Sequence, residues 1–190
     1  MKSNHIYLSI LLLFYAFSGF SRDLEIGNSS TGVFRASSQI VLTNPGGGFS
    51  QVEYLSELAA LNKMGLQLAL LAKGRPVRQE LKLFAIKSLE YHKKIDQQLK
   101  ELGESKQLTI GNEMLDNDKD DIAKLFKLKG ILFEKSFLNL TADNHRKLLA
   151  LYRKAQEKNT DPDFIKLCDA AIPELEAHNA AVRLLRTTIK

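Results

Sequence analysis

Apolar residues recur at alternating spacings of three and four along most of this chain, and glycine and proline interrupt the pattern at only a few points. That period sets one face of an α-helix against a core, unlike the alternation of two that marks a half-buried strand. The first run spans about 50–73 through Val52, Leu55, Ala59, Asn62, Leu66 and Ala69, and Gly74 closes it. Pro76 suits the first turn of a second helix, which passes Leu81, Ala85, Leu89, His92, Ile95 and Leu99 to reach Leu102, with Gly103 as its stop. A polar connection at 104–117 leads to a third helix from near Asp118, carrying Phe133, Phe137, Leu140, Leu148 and Tyr152, with Gly130 as a bend. Asp161-Pro162 reads as the cap and first position of a fourth, whose seam is Phe164, Cys168, Ala171, Leu175, His178, Val182 and Leu185. Four long amphipathic helices, each needing cover for its apolar face, predict an all-α, antiparallel four-helix bundle over residues 49–190.

An internal repeat divides that bundle into two helical hairpins. Shifting the chain by 86 residues superimposes Pro76 on Pro162, His92 on His178 and six further identical pairs within 76–102. The second and fourth helices are then equivalent, and each histidine lies 16 residues after its proline. At 1.5 Å per residue both imidazoles stand roughly 24 Å along their helices, on inward-facing seams. His145, between Leu138, Thr141, Leu148 and Tyr152, falls at a similar depth on the third helix. Three inward imidazoles on separate helices make His92, His145 and His178 a candidate metal site for zinc, copper or iron, with Glu174 as an outer carboxylate. Against this stands a plain polar core network, in which Ser88, Thr141, Asn144 and Glu174 would hydrogen-bond the rings. No Glu stands three residues before any of these histidines, so the carboxylate pattern of a di-iron bundle is missing.

The beginning of the chain has a different texture. Lys2 and His5 precede the uncharged apolar run Ile6 to Phe17, and small residues follow at Ala16, Ser18 and Ser21. This is signal-peptide architecture over 1–21, too short for a membrane-spanning helix. Residues 22–48, ending in Asn44-Pro45-Gly46-Gly47-Gly48, read as a flexible lead. The chain is therefore expected to be exported, periplasmic or outer-membrane associated, with no transmembrane span once the signal is cleaved.

Few reactions fit the remainder. The formal net charge of +5 loses one Lys with residues 1–21, and the other basic residues are mixed with acids along the helices, so no nucleic-acid footprint is present. Cys168 is the only cysteine and reads as a core thiol. Phosphate loops, nucleophile elbows and Cys-x-x-Cys are absent from the sequence, and the acids of 116–121 lack the glycine and final Glu of an EF-hand. They suit a solvated helix start. Tyr54, Tyr91 and Tyr152 read as half-buried residues at seam edges.

Phe84-Ala85 followed by His92, Gly130-x-x-Phe133-Glu134-x-x-Phe137 followed by His145, and Asp161-Pro162 with Ile172-Pro173-x-Leu175-x-x-His178 resemble domain of unknown function 4142. The resemblance covers about 50–187 and implies an exported bacterial protein with a ferritin-like helical bundle, of a kind often labelled outer membrane protein. Where that family has Met and Asp before its histidines, this chain has Ser88 and Tyr91, and Thr141 and Asn144. The expected function is a non-enzymatic binding or structural module of the cell envelope, its partner an envelope protein, a small ligand or a second copy. The alternative is a ferritin-like metal-binding protein using the core histidines.

Overall fold

The computed structural model describes residues 51–189, and the signal and lead segments read from the sequence lie outside the described residues. Five helices form: α1 (Gln51–Lys73), α2 (Gln79–Ser105), α3 (Asp116–Lys127), α4 (Gly130–Lys158) and α5 (Pro162–Thr188). Among the described residues there is no strand. In this helical bundle α1 lies along α2, α4 lies along α5, α1 also packs on α4 and α2 on α5, while α3 touches α1 and α4.

The third helix of the sequence reading is two helices. Leu128 and Lys129 adopt extended backbone between α3 and α4, and Gly130 opens α4 at φ +54°, a conformation that costs a residue with a Cβ. Gly130 thus marks a break rather than a bend. Gly103 is no helix stop either, because α2 continues to Ser105. A Cβ at Gly103 would come within 2.6 Å of Ile110, so glycine there admits the loop after α2. Pro76 lies outside α2, which starts three residues later at Gln79. The chain is held at that point by buried Glu134, which accepts from the Arg78 backbone N–H and from Arg78 Nε, each at 2.9 Å. By contrast, Asp161 caps α5 as expected, accepting from the Asp163 N–H at 3.0 Å with Pro162 at the first helical position. The α5 helix runs on through Pro173, whose missing N–H removes the donor for the Asp169 carbonyl.

Burial departs from the sequence reading in two places. Tyr91 and Tyr152 are fully interior rather than edge residues, and Asp118 in the first turn of α3 is buried, 3.7 Å from Lys147 Nζ. The interior itself has two apolar halves. One gathers Leu55, Tyr91, Ile95, Leu148, Tyr152 and Leu175, the other Met64, Leu68, Phe84, Phe137, Leu138 and Val182. On each long helix the seam passes from one half to the other beside buried or half-buried polar residues: Asn62 on α1, Ser88 with His92 close after it on α2, His145 on α4 and His178 on α5. A polar layer therefore crosses the middle of the core.

Candidate functional site

The three histidines read from the sequence do converge. The rings of His92 and His145 are 5.7 Å apart between centroids, and those of His145 and His178 are 5.9 Å apart. His92 and His145 are sealed from solvent, whereas His178 is half-buried and opens the layer to one side. Tyr91 stands edge-on to both His92 and His178, at 5.0 and 4.9 Å, and Phe84 meets His178 edge-on at 6.0 Å. Glu174 is not drawn in. It is half-exposed and paired with Lys94, since a carboxylate on the outer face of α5 gains more from water and an ammonium than from an apolar seam.

Asn62 fixes the chemistry of His92. Its amide nitrogen donates to the His92 backbone carbonyl at 2.9 Å, which turns its amide oxygen toward His92 Nδ1 at 2.8 Å. An oxygen there accepts, so Nδ1 carries the ring proton and Nε2 presents a bare lone pair. That nitrogen is buried and without a hydrogen-bond partner, as are both ring nitrogens of His145 and Nδ1 of His178. Thr141 and Asn144, the residues that would satisfy the rings in a plain polar network, have unpartnered side-chain atoms of their own. Replacing Asn62 with Ala strands the His92 Nδ1–H and leaves the His92 carbonyl with its helical partner alone. Urea unfolding of Asn62→Ala is expected to show a loss of about 1–3 kcal/mol, and a loss under about 0.5 kcal/mol, the scale of neutral surface changes, contradicts this role.

Gly65 completes the cavity for the ring. A Cβ at this position would fall 2.2 Å from His92 Cε1 and 2.3 Å from Nε2, so α1 approaches α2 here only because the side chain is absent. Sequence reasoning passed over Gly65, although a glycine in mid-helix is itself the signal of a close approach. Tyr91 was also missed as part of the layer.

Burial governs the electrostatics. It holds His92 neutral well below the ordinary histidine range, and the neighbouring His145 and His178 rings reinforce the effect. His145 is lowered to about 3, chiefly by burial and then by His178; the Asn179 side chain opposes, standing near the ring but outside hydrogen-bond geometry. His178 is lowered by burial, with the Glu174 charge pulling up and Lys87 pushing down. Burial likewise pushes the Cys168 thiol up to about 11, so it is a core thiol with little thiolate character. The layer is thus three neutral imidazoles and an amide, with no carboxylate to act as base. Among the described residues, no three His, Cys, Asp or Glu side chains are posed to hold a metal ion as they stand.

These features define a helical protein with an interior imidazole layer. The sequence profile of the family described as Domain of unknown function (DUF4142) matches residues 43–185, and the chain belongs to that family. The crystal structure of a DUF305 fragment from Deinococcus radiodurans shares the fold, with a TM-score of 0.65 at 14% identity over 72% of this chain and 95% of that one. Comparison with curated proteins gives no match.

Proposed function

We propose that this chain is a non-enzymatic binding module of the cell envelope, exported by its N-terminal signal and folded as an antiparallel four-helix, ferritin-like bundle with α3 as an added arm. Its binding element is the imidazole layer, and its ligand a borderline transition-metal ion such as zinc, copper or iron. The observation that carries this reading is the lone pair of His92 Nε2, oriented by Asn62 and left without a donor among two further open imidazoles. A ligating histidine characteristically donates its other N–H to an oxygen acceptor, as His92 does. Three imidazoles around one tetrahedral ion at metal–nitrogen distances of 2.0–2.1 Å have ring centroids roughly 5 Å apart. His145 stands within an ångström of that spacing from each of its neighbours, at 5.7 and 5.9 Å, so binding requires ring rotation and a closing of His92 and His178 toward one another past the Tyr91 ring that stands edge-on to both. The absence of a carboxylate from the layer speaks against di-iron oxidase chemistry.

Equilibrium dialysis against zinc or copper, followed by elemental analysis, tests this. The expected result is one ion per chain, with affinity lowered by at least about 100-fold in the double variant His92→Gln, His145→Gln, since two of three ligands are gone. Equal retention by wild type and variant, with both folded by circular dichroism, contradicts the assignment, as does no retention by either.

A further inference from the structure

The bundle is polarised along its length, and its two ends differ in both charge and apolar exposure. One end collects the close of α1, the start of α2, the corner between α3 and α4, and the close of α5. Arg75 Nη1 donates to the Leu128 carbonyl at 3.3 Å, and Arg78 binds Glu134 while its Nη1 reaches the Thr188 carbonyl at 3.3 Å. In residues 70–83, 124–135 and 183–188 there are ten Lys or Arg against two acids, Glu80 and Glu134, and Glu134 is already engaged by Arg78. The opposite end, residues 51–58, 99–106 and 154–165, has four Lys or Arg against seven acids.

The basic end also carries the exposed apolar side chains. Six of the seven large exposed hydrophobic residues among those described lie within four residues of a helix terminus there, Leu115 being the exception. The α3–α4 corner is their focus, with Phe126 and Leu132 each 63% exposed and Ile131 42% exposed. Arg75 braces this corner from beneath, its guanidinium 4.9 Å from the Phe126 ring centroid. Lys127, Lys129 and Lys135 stand exposed around it, and Lys124 pairs with Asp121 one turn back.

We infer that this corner docks the protein on an anionic phospholipid surface, with Phe126, Ile131 and Leu132 entering the headgroup region and the surrounding lysines meeting lipid phosphates. Charge complementarity selects the occupant. A second copy meeting by the same end would oppose two basic surfaces, and its acidic end offers none of the large exposed apolar side chains that Phe126 and Leu132 would need to meet. Basic residues beside exposed apolar ones are the pattern of an interfacial anchor. The acidic far end is repelled by the same surface, which fixes the direction of approach. No described helix is long and apolar enough to cross a membrane, so the contact is peripheral.

The chain has no Trp, so Leu132→Trp in the full chain is a single reporter at the corner and Glu157→Trp a control at the far end of α4. With vesicles of phosphatidylcholine containing phosphatidylglycerol, the emission of the corner reporter is expected to move to shorter wavelength and to be quenched by bromine on the lipid chains, while the control stays unchanged. Lys127→Gln with Lys129→Gln is expected to weaken vesicle binding at least about tenfold, and added salt to do the same. Emission that is unchanged at position 132, that shifts equally at position 157, or that responds equally to pure phosphatidylcholine overturns the inference. So does binding to polyglutamate without binding to vesicles, which would assign the basic end to an acidic protein.

Discussion

Taking the metal-free protein from pH 6.5 to pH 5 is expected to remove about 1.6 kcal/mol of stability for each sealed imidazole, or about 3 kcal/mol for His92 and His145 together. Folded, these rings stay neutral because burial and one another's proximity disfavour the cation, whereas unfolded they protonate near the ordinary histidine pKa. The unfolded state therefore takes up protons first as the pH falls. Stability is complete above about 6.5 and declines on acidification until the folded pKa is reached, which for His145 is about 3. Against a typical total of about 5–15 kcal/mol this is a large fraction. Urea midpoints measured across the interval check the effect, and most carboxylates titrate below it. Replacing His92 and His145 with Gln is expected to flatten the dependence. A wild-type midpoint constant between pH 6.5 and 5 contradicts the buried, neutral assignment.

Gly65→Ala is expected to destabilise the fold by about 3 kcal/mol or more, opposite in sign to the gain of up to about 1 kcal/mol that alanine ordinarily gives in a helix interior. The added methyl would lie inside the van der Waals envelope of the His92 ring, which Asn62 clamps at Nδ1. Either α1 moves away from α2, opening both halves of the core, or the ring leaves the layer and loses that bond. The double variant Gly65→Ala, His92→Ala separates this contact from any other effect of the substitution. Chemical denaturation should show the double variant more stable than Gly65→Ala alone, because the second truncation relieves the first. Simple additivity of the two losses would mean that the glycine serves another purpose.

The helices and the imidazole layer were legible because both rest on periodicity. A spacing of three and four assigns faces without knowledge of the partner, and the 86-residue repeat set His92 and His178 level even though Pro76 proves to lie outside its helix. The repeat carried the result because the core positions match: Leu81, Ala85, Leu89 and Leu99 are buried, as are Leu167, Ala171, Leu175 and Leu185. What failed depended on tertiary approach. Gly103 and Gly65 look alike in sequence, as helix glycines, yet one admits a loop and the other a ring. The split at Leu128 and Lys129 was hidden because apolar residues continue through it, with Leu125 buried before the break and Phe133 after it. The choice of Asn62 over Ser88, Thr141 and Asn144 as the partner of His92 depends on which helix faces α2 at that height, and periodicity along one helix carries no such information.

The orientation of His92 is the point on which the binding proposal turns, and nitrogen-15 NMR of the imidazoles at pH 7 reads it directly. The predicted result is His92 neutral with its proton on Nδ1, His145 and His178 also neutral, and the Nε2 resonance of His92 displaced on adding zinc. A proton on His92 Nε2, or three imidazole spectra indifferent to saturating zinc, would contradict the proposal and leave the layer as a polar seam within the core.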